Sequence, residues 1–152
     1  MENKSAARSE EEVIDRFTDA WGSLGSFWGI SRSVARVHAL LLSSSRPWTL
    51  DEISERLRIS KGNTSTSLKE LRSWSVVRKT LKPGERKEFF SSEPDAWQMF
   101  FSIVRERKRR EFDPILASVR EAIALAGDAP QQIDIDRLTQ LEEMLATFDR
   151  LA

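Results

Sequence analysis

The chain of 152 residues has no cysteine, one histidine and no long apolar run. Without cysteine there is no disulfide scaffold, no thiol redox sensor and no cysteine zinc site, and nothing opposes a cytosolic setting. The lone His38 lies among Val34, Val37, Leu41 and Leu42, and reads as a packed or partly exposed helix residue. A metal site needs several ligands, so none is expected. No stretch approaches the roughly 20 apolar residues that span a bilayer. The first residues carry Glu10, Glu11 and Glu12 rather than a basic-then-apolar signal pattern. The expectation is a cytoplasmic protein with no membrane partner. There is also no glycine-rich phosphate loop and no set of side chains at catalytic spacing. Neither an enzyme nor a cofactor is expected.

Net charge is absent too, with 24 basic and 24 acidic side chains. That excludes a uniform polycation, but the distribution is uneven. Residues 1–45 carry a net −1, residues 46–90 a net +5 and residues 91–152 a net −4. The positive segment can release counterions from a phosphate backbone, whereas the acidic one would be repelled by it.

What fills the positive segment is specific. Thr49 and Glu52 form a Thr-x-x-Glu capping box that opens a short helix with Ile53 and Leu57 on one face. Arg58 and Ile59 make a turn, and Ser60 caps a second helix whose inward stripe is Thr64, Leu68 and Leu71. Helix, short turn, helix is the layout that lays the second helix in a DNA major groove. The outward set is then Lys61, Asn63, Ser65, Thr66, Lys69 and Arg72, with no carboxylate before Glu70. From Gly62 to Ser67 helix propensity is given up at six consecutive positions, unlike an ordinary solvated face built on Glu/Lys pairs.

A basic β-hairpin follows. Val76 to Leu81 is β-rich, Lys82-Pro83-Gly84-Glu85 is a turn, and Arg86 to Phe90 returns. Lys82, Arg86 and Lys87 sit at its tip, within reach of a backbone or a narrow minor groove. A basic hairpin joined directly to a helix-turn-helix is a winged helix. The fold class is therefore mainly α: a three-helix core with a β-hairpin wing, flanked by N- and C-terminal dimerisation helices.

From Gly29 to Phe90 the sequence resembles winged-helix regulators of the MarR superfamily, most closely the GbsR-type branch. The stretches TLDEISERL, ISKGNTS and PGERKEFF carry the resemblance, which continues more loosely through DAWQMFFSIVRERKRREFDP. It implies a dimeric transcription factor on a palindromic operator, and it allows a small-molecule effector. Ser60, Lys61, Asn63, Ser65 and Lys69 match the family's recognition helix, and Arg86 and Lys87 match its wing. Arg58 stands where the family usually has a turn glycine, Ala35 where glycine is common, and Phe89-Phe90 where a tyrosine-containing pair is more usual.

Outside this module, residues 1–8 read as a disordered start. Ser9 and Glu12 then cap a helix with Val13, Phe17, Ala20, Trp21 and Leu24 as its apolar set, and the glycines at 22, 25 and 29 end it in a loop. A helix over Ser31–Ser43 and a short strand at Pro47-Trp48 precede the module. After the wing, Asp95–Arg110 reads as a helix with Trp97, Phe100, Phe101 and Val104 buried. Asp113-Pro114 breaks or kinks it, Phe112 to Ala126 continues, Gly127–Pro130 loops, and a last helix runs from about Asp134 to Leu151. The expected organisation is 1–30 for dimerisation, 31–92 for DNA binding and 93–152 for dimerisation.

Two features invite over-reading. The basic run from Arg105 to Arg110 is interleaved with Glu106 and Glu111 and reads as a solvated helix face. Aromatic walls can cage a quaternary ammonium, yet aromatic residues at helical spacing are usually core. Only Trp21 and Trp28 are candidates for a ligand site. The alternative reading, a winged helix used as a protein-interaction module, would need apolar anchors on the second helix, where this chain has hydroxyls, an amide and lysines.

Overall fold

The computed structural model describes residues 2–127 and 132–151. In order, the elements are α1 (Glu2–Phe27), α2 (Arg32–Leu42), β1 (Trp48–Thr49), α3 (Leu50–Leu57), α4 (Lys61–Ser73), β2 (Val77–Leu81), β3 (Glu88–Ser92) and α5 (Ala96–Arg107). A π-helical stretch (Lys108–Phe112), α6 (Asp113–Ala126) and α7 (Ile135–Leu151) complete it. They divide into two units, residues 1–99 and 100–152.

The core of the first unit forms around α2. Ser31 caps this helix by accepting from the Val34 N–H, and Ala35, Val37, His38, Ala39, Leu40 and Leu41 are all buried. α1, α3 and α4 pack on it. Leu40, Ile53, Val37 and Val76 are the largest fully enclosed apolar side chains. Burial of such a side chain stabilises by about 1.5–3 kcal/mol. The sheet has strand order β1-β3-β2, antiparallel throughout, with Trp48 opposite Phe90 and Leu81 opposite Glu88. The expected short strand therefore does pair with the wing.

α1 departs from expectation in three ways. It is helical from Glu2, so residues 2–8 are not a disordered start. It also runs through Gly22 and Gly25 to Phe27. These glycines are there for packing: a Cβ on Gly25 would lie 2.6 Å from the Ala35 Cβ. Only Gly29, at φ +76°, makes the turn. Finally, Thr18, Gly22 and Gly25 are buried and Phe17 and Trp21 half-buried, while Val13, Ala20 and Leu24 of the expected apolar set are exposed.

His38 is 4% exposed and accepts from the Trp21 indole N–H at 3.3 Å through Nδ1. Its proton therefore sits on Nε2, and burial pushes its pKa down to about 4.

Further along, Trp97 is 71% exposed and Phe100 and Phe101 about half exposed. Val104 is half-buried, and the buried residue of α5 is Met99, so the expected buried stripe is corrected. Periodicity identified an apolar face there, but the single chain does not enclose it. Of the break or kink expected at Asp113-Pro114, the break does not occur. The chain stays helical through Phe112 and Asp113, with Pro114 in the first turn of α6 and the wider π-helical stretch just before it. A proline ring clashes with the turn preceding it, and a π-helical widening is where helices absorb such misfits. In this second unit Lys108 bridges Asp149 at 2.7 Å and Asp113 at 3.6 Å. Glu106 holds Arg109 and Arg110 at 3.0 and 3.1 Å, so the basic run is largely paired on its own surface. Residues 128–130 of the expected loop lie outside the described residues.

Candidate nucleic-acid interface

The helix-turn-helix is held by bonds that the local sequence supplies. Thr49 Oγ1 accepts from the Glu52 N–H at 3.2 Å, and Glu52 Oε1 accepts from the Thr49 N–H at 3.1 Å. The backbone bond from Thr49, aided by Arg46, holds the Glu52 carboxyl below its ordinary range. At the other end of α3, Arg36 donates to the Leu57 carbonyl at 3.1 Å. Buried Ser54 donates to the Ile59 carbonyl at 2.6 Å, and the Ile59 N–H returns to the Ser54 carbonyl at 3.2 Å. Between them Arg58 adopts φ 55°, ψ 46°, the left-handed region. The conformation expected of a glycine is kept with an arginine in it, at a strain of about 1–2 kcal/mol.

Ser60 starts α4 with an extended backbone, and its Oγ accepts from the Asn63 N–H at 3.0 Å. Thr64 is fully buried and returns its hydroxyl to the Ser60 carbonyl at 2.9 Å. Ser67, Leu68 and Leu71 complete the buried stripe. At 100° per residue, Gly62, Thr66, Lys69 and Ser73 lie opposite that stripe. Lys61, Ser65 and Arg72 run along one edge, and Asn63 and Glu70 along the other.

The expected contact residues are therefore not equivalent. Lys69 and Thr66 are exposed, although the Thr66 hydroxyl bonds back to the Gly62 carbonyl at 3.0 Å. Ser65 is half-buried rather than projecting, because it sits only about 60° around the helix from Leu68. The Asn63 amide nitrogen is donated to Ser33 Oγ at 2.9 Å, tying α4 to the start of α2 and leaving its carbonyl oxygen outward. Lys61 is exposed but paired with Asp51 at 3.3 Å. No Cβ-position contact lies within 4 Å of Gly62, so the helix surface there is open to close approach.

In the wing, Glu85 N–H donates to the Lys82 carbonyl at 3.1 Å, and Gly84 takes φ +80° after Pro83. The turn is as expected, but the return strand begins only at Glu88, leaving Arg86 and Lys87 in an exposed loop. Lys82 stacks its ammonium 4.3 Å from the centre of the Phe89 ring.

The eleven basic residues between 46 and 90 now sort into two groups. Arg46, Arg56, Lys61, Arg78 and Lys79 are ion-paired, to Glu52, Asp15, Asp51, Glu93 and Glu88 respectively. Among the described residues no carboxylate pairs with Arg58, Lys69, Arg72, Lys82, Arg86 or Lys87, all exposed. Those six lie on the turn, on α4 and on the wing loop. Arg58 was not an expected contact, and Arg72 was expected only as part of the outward face of α4. The only sequence signal for Arg58 was its occupation of a glycine position.

The two tryptophan candidates differ in surroundings. Trp21 stacks on Phe17 at 5.5 Å and has given its N–H to His38, whereas Trp28 is 57% exposed just past the end of α1. Among the described residues there is no cluster of three metal-ligating side chains and no helix long and apolar enough to cross a membrane.

The chain is 30% identical over 141 residues to the HTH-type transcriptional repressor GbsR of Bacillus subtilis (strain 168), covering 93% of this chain and 77% of that one. It belongs to the GbsR family of HTH-type transcriptional regulators. A second repressor of that organism, OpcR, is 25% identical over 154 residues, covering 95% of this chain and 80% of its own. Both relatives are transcriptional repressors, not enzymes. A crystal structure of a transcriptional regulator superposes with a TM-score of 0.74 at 23% identity over 91% of each chain, and shares the fold. No family model matches the chain.

Proposed function

We propose that this protein is a homodimeric, sequence-specific DNA-binding regulator working in the cytoplasm. α4 enters the major groove with Ser60, Lys61, Asn63, Ser65, Thr66 and Lys69 near base edges and phosphates. The wing brings Lys82, Arg86 and Lys87 to flanking backbone or minor groove. The observation that carries this is that, among the described residues from 46 to 90, the cations without a carboxylate partner fall on the turn, α4 and the wing loop, while five others are ion-paired. Residues 31–92 are the DNA-binding domain in this reading, and helices within 1–30 and 93–152 join two copies. Exposed large apolar side chains outside the DNA-binding domain, among them Phe27, Trp97, Leu125 and Phe148, support that pairing, since burying them against a second copy is favourable. A twofold dimer sets its recognition helices roughly 34–36 Å apart, matching a palindromic operator.

Selection of duplexes from a randomised pool, followed by anisotropy titrations across salt, tests the reading. Arg86→Ala with Lys61→Ala removes up to four phosphate contacts from a dimer. The slope of log affinity against log salt should then shrink by up to about 3.6. Wild-type affinity and slope in the double variant would show that these residues do not meet DNA. Repeating the selection with quaternary amines present asks whether an effector alters binding.

A further inference from the structure

We propose that Arg58 is a DNA-phosphate contact, and that the helix-turn-helix retains a strained turn in order to hold it there. The inference rests on the DNA-binding reading above and adds a residue to it. Three observations converge on this position. Its backbone is left-handed at φ 55°, ψ 46°, a conformation that glycine adopts freely and asparagine tolerates, while other residues are strained in it. That conformation is held by two bonds between Ser54 and Ile59, the Ser54 hydroxyl donating to the Ile59 carbonyl and the Ile59 N–H to the Ser54 carbonyl. The side chain itself is exposed and, among the described residues, has no carboxylate partner. Nearby arginines are used by the fold: Arg36 caps α3, Arg46 pairs with Glu52 and Arg56 pairs with Asp15. Arg58 does nothing comparable for stability.

A left-handed non-glycine residue held by its surroundings is where strain serves a purpose other than folding. The placement says which purpose. Arg58 stands two residues before the Ser60 cap of α4, beside the helix end whose unsatisfied N–H groups favour an anion. A phosphate drawn to the start of α4 would meet a planar guanidinium on its outer side, and arginine binds phosphate in a two-pronged fashion that lysine cannot match.

The test is a pair of single variants of the full chain, Arg58→Gly and Arg58→Lys, measured on a mixed-sequence DNA duplex and by thermal melting. Arg58→Gly relieves the backbone and removes the charge. It should melt at or up to about 2–4 °C above wild type. Its affinity should nevertheless fall at least about tenfold at low salt, with the salt slope of a dimer reduced by about 1.8. Arg58→Lys keeps strain and charge, and should retain most of the slope while losing part of the affinity. Unchanged affinity and slope in Arg58→Gly, with wild type binding normally, overturns the proposal and leaves the DNA-binding reading standing. Equal loss in both variants with no change of slope also overturns it, because turn geometry rather than charge would then be at work. A wild-type protein that binds no duplex at all overturns both.

Discussion

Asp51 restrains the residue best placed at the start of α4, and its removal is the sharpest probe of the interface. Its carboxylate lies 3.3 Å from the Lys61 ammonium, with both side chains roughly two-thirds exposed. At that separation the gross attraction in water is about 1.3 kcal/mol. Exposed pairs deliver a net of only about 0.2–1 kcal/mol once screening and side-chain entropy are counted. Lys61 must leave this partner to reach a phosphate, so Asp51→Asn should return that energy to DNA binding. Per protomer this amounts to up to about fivefold, and across a dimer between about twofold and thirtyfold. Folding stability should drop slightly, because Asp51 also sits in the first turn of α3, where a negative charge contributes about 0.3–1 kcal/mol. The assay is a double-mutant cycle with Lys61→Ala, read by anisotropy at 0.1 M salt. In the Lys61→Ala background only Asp51–phosphate repulsion remains to be relieved, and it is screened within about 10 Å. The gain from Asp51→Asn should therefore shrink. An equal gain in both backgrounds, or none in either, refutes the assignment of Lys61 to the phosphate backbone.

Two further outcomes concern the scaffold. His38 is neutral in the fold with its pKa near 4, below the ordinary 6.5. It is without effect on stability above about pH 6.5, and as pH falls toward 4 the unfolded chain takes up a proton that the fold refuses. The expected loss approaches roughly 3 kcal/mol. Urea midpoints should fall between pH 7 and pH 5 in wild type and stay level in His38→Gln; an equal fall in the variant sinks the account. Gly25→Ala gains about 1 kcal/mol of helix propensity but forces a Cβ to 2.6 Å from Ala35. Overpacking of about 1–3 kcal/mol should outweigh the gain. Adding Ala35→Gly should restore the melting temperature beyond additivity, and strictly additive melts would show that the helices simply part.

The features read correctly from sequence are those whose physics is local. The Thr49/Glu52 box, the Ser60 cap and the Pro83-Gly84 turn each bond within a few residues, and all three are present. The inward stripe of α4 was also legible, because Thr64, Leu68 and Leu71 recur at helical spacing. What failed depended on neighbours distant in sequence. Gly22 and Gly25 resemble loop residues until α2 is seen to press against them. Trp97, Phe100 and Phe101 share one side of a helix, but spacing alone says nothing about what encloses that side. The miss at Ser65 was local instead: it was assigned outward from its polarity, although helical spacing alone puts it about 60° from Leu68. At Pro114 the helix is not broken: the proline falls in the first turn of α6, directly after the π-helical stretch, a position where its missing N–H is tolerated.

The net +5 of residues 46–90 was, by itself, an ambiguous number. Lysines and arginines on a small domain ordinarily find carboxylates, and here Asp15, Asp51, Glu52, Glu88 and Glu93 take one cation each. Those acids belong to α1, α3, β3 and the residue just after it. α4 contributes only Glu70, late in the helix, where it accepts from the Trp74 indole at 3.0 Å. Cations on the turn, α4 and the wing loop are thus left over because the five pairing acids sit on other elements, even though Glu70 and Glu85 lie among those cations in sequence. A random surface of this composition would pair its charges by proximity and leave the remainder scattered. Confinement of the remainder to one helix, its entry turn and one loop is what an electrostatic footprint for a polyanion requires. Arg58 sharpens the point, since it is the one member of that set whose backbone is held in a strained conformation to stay there.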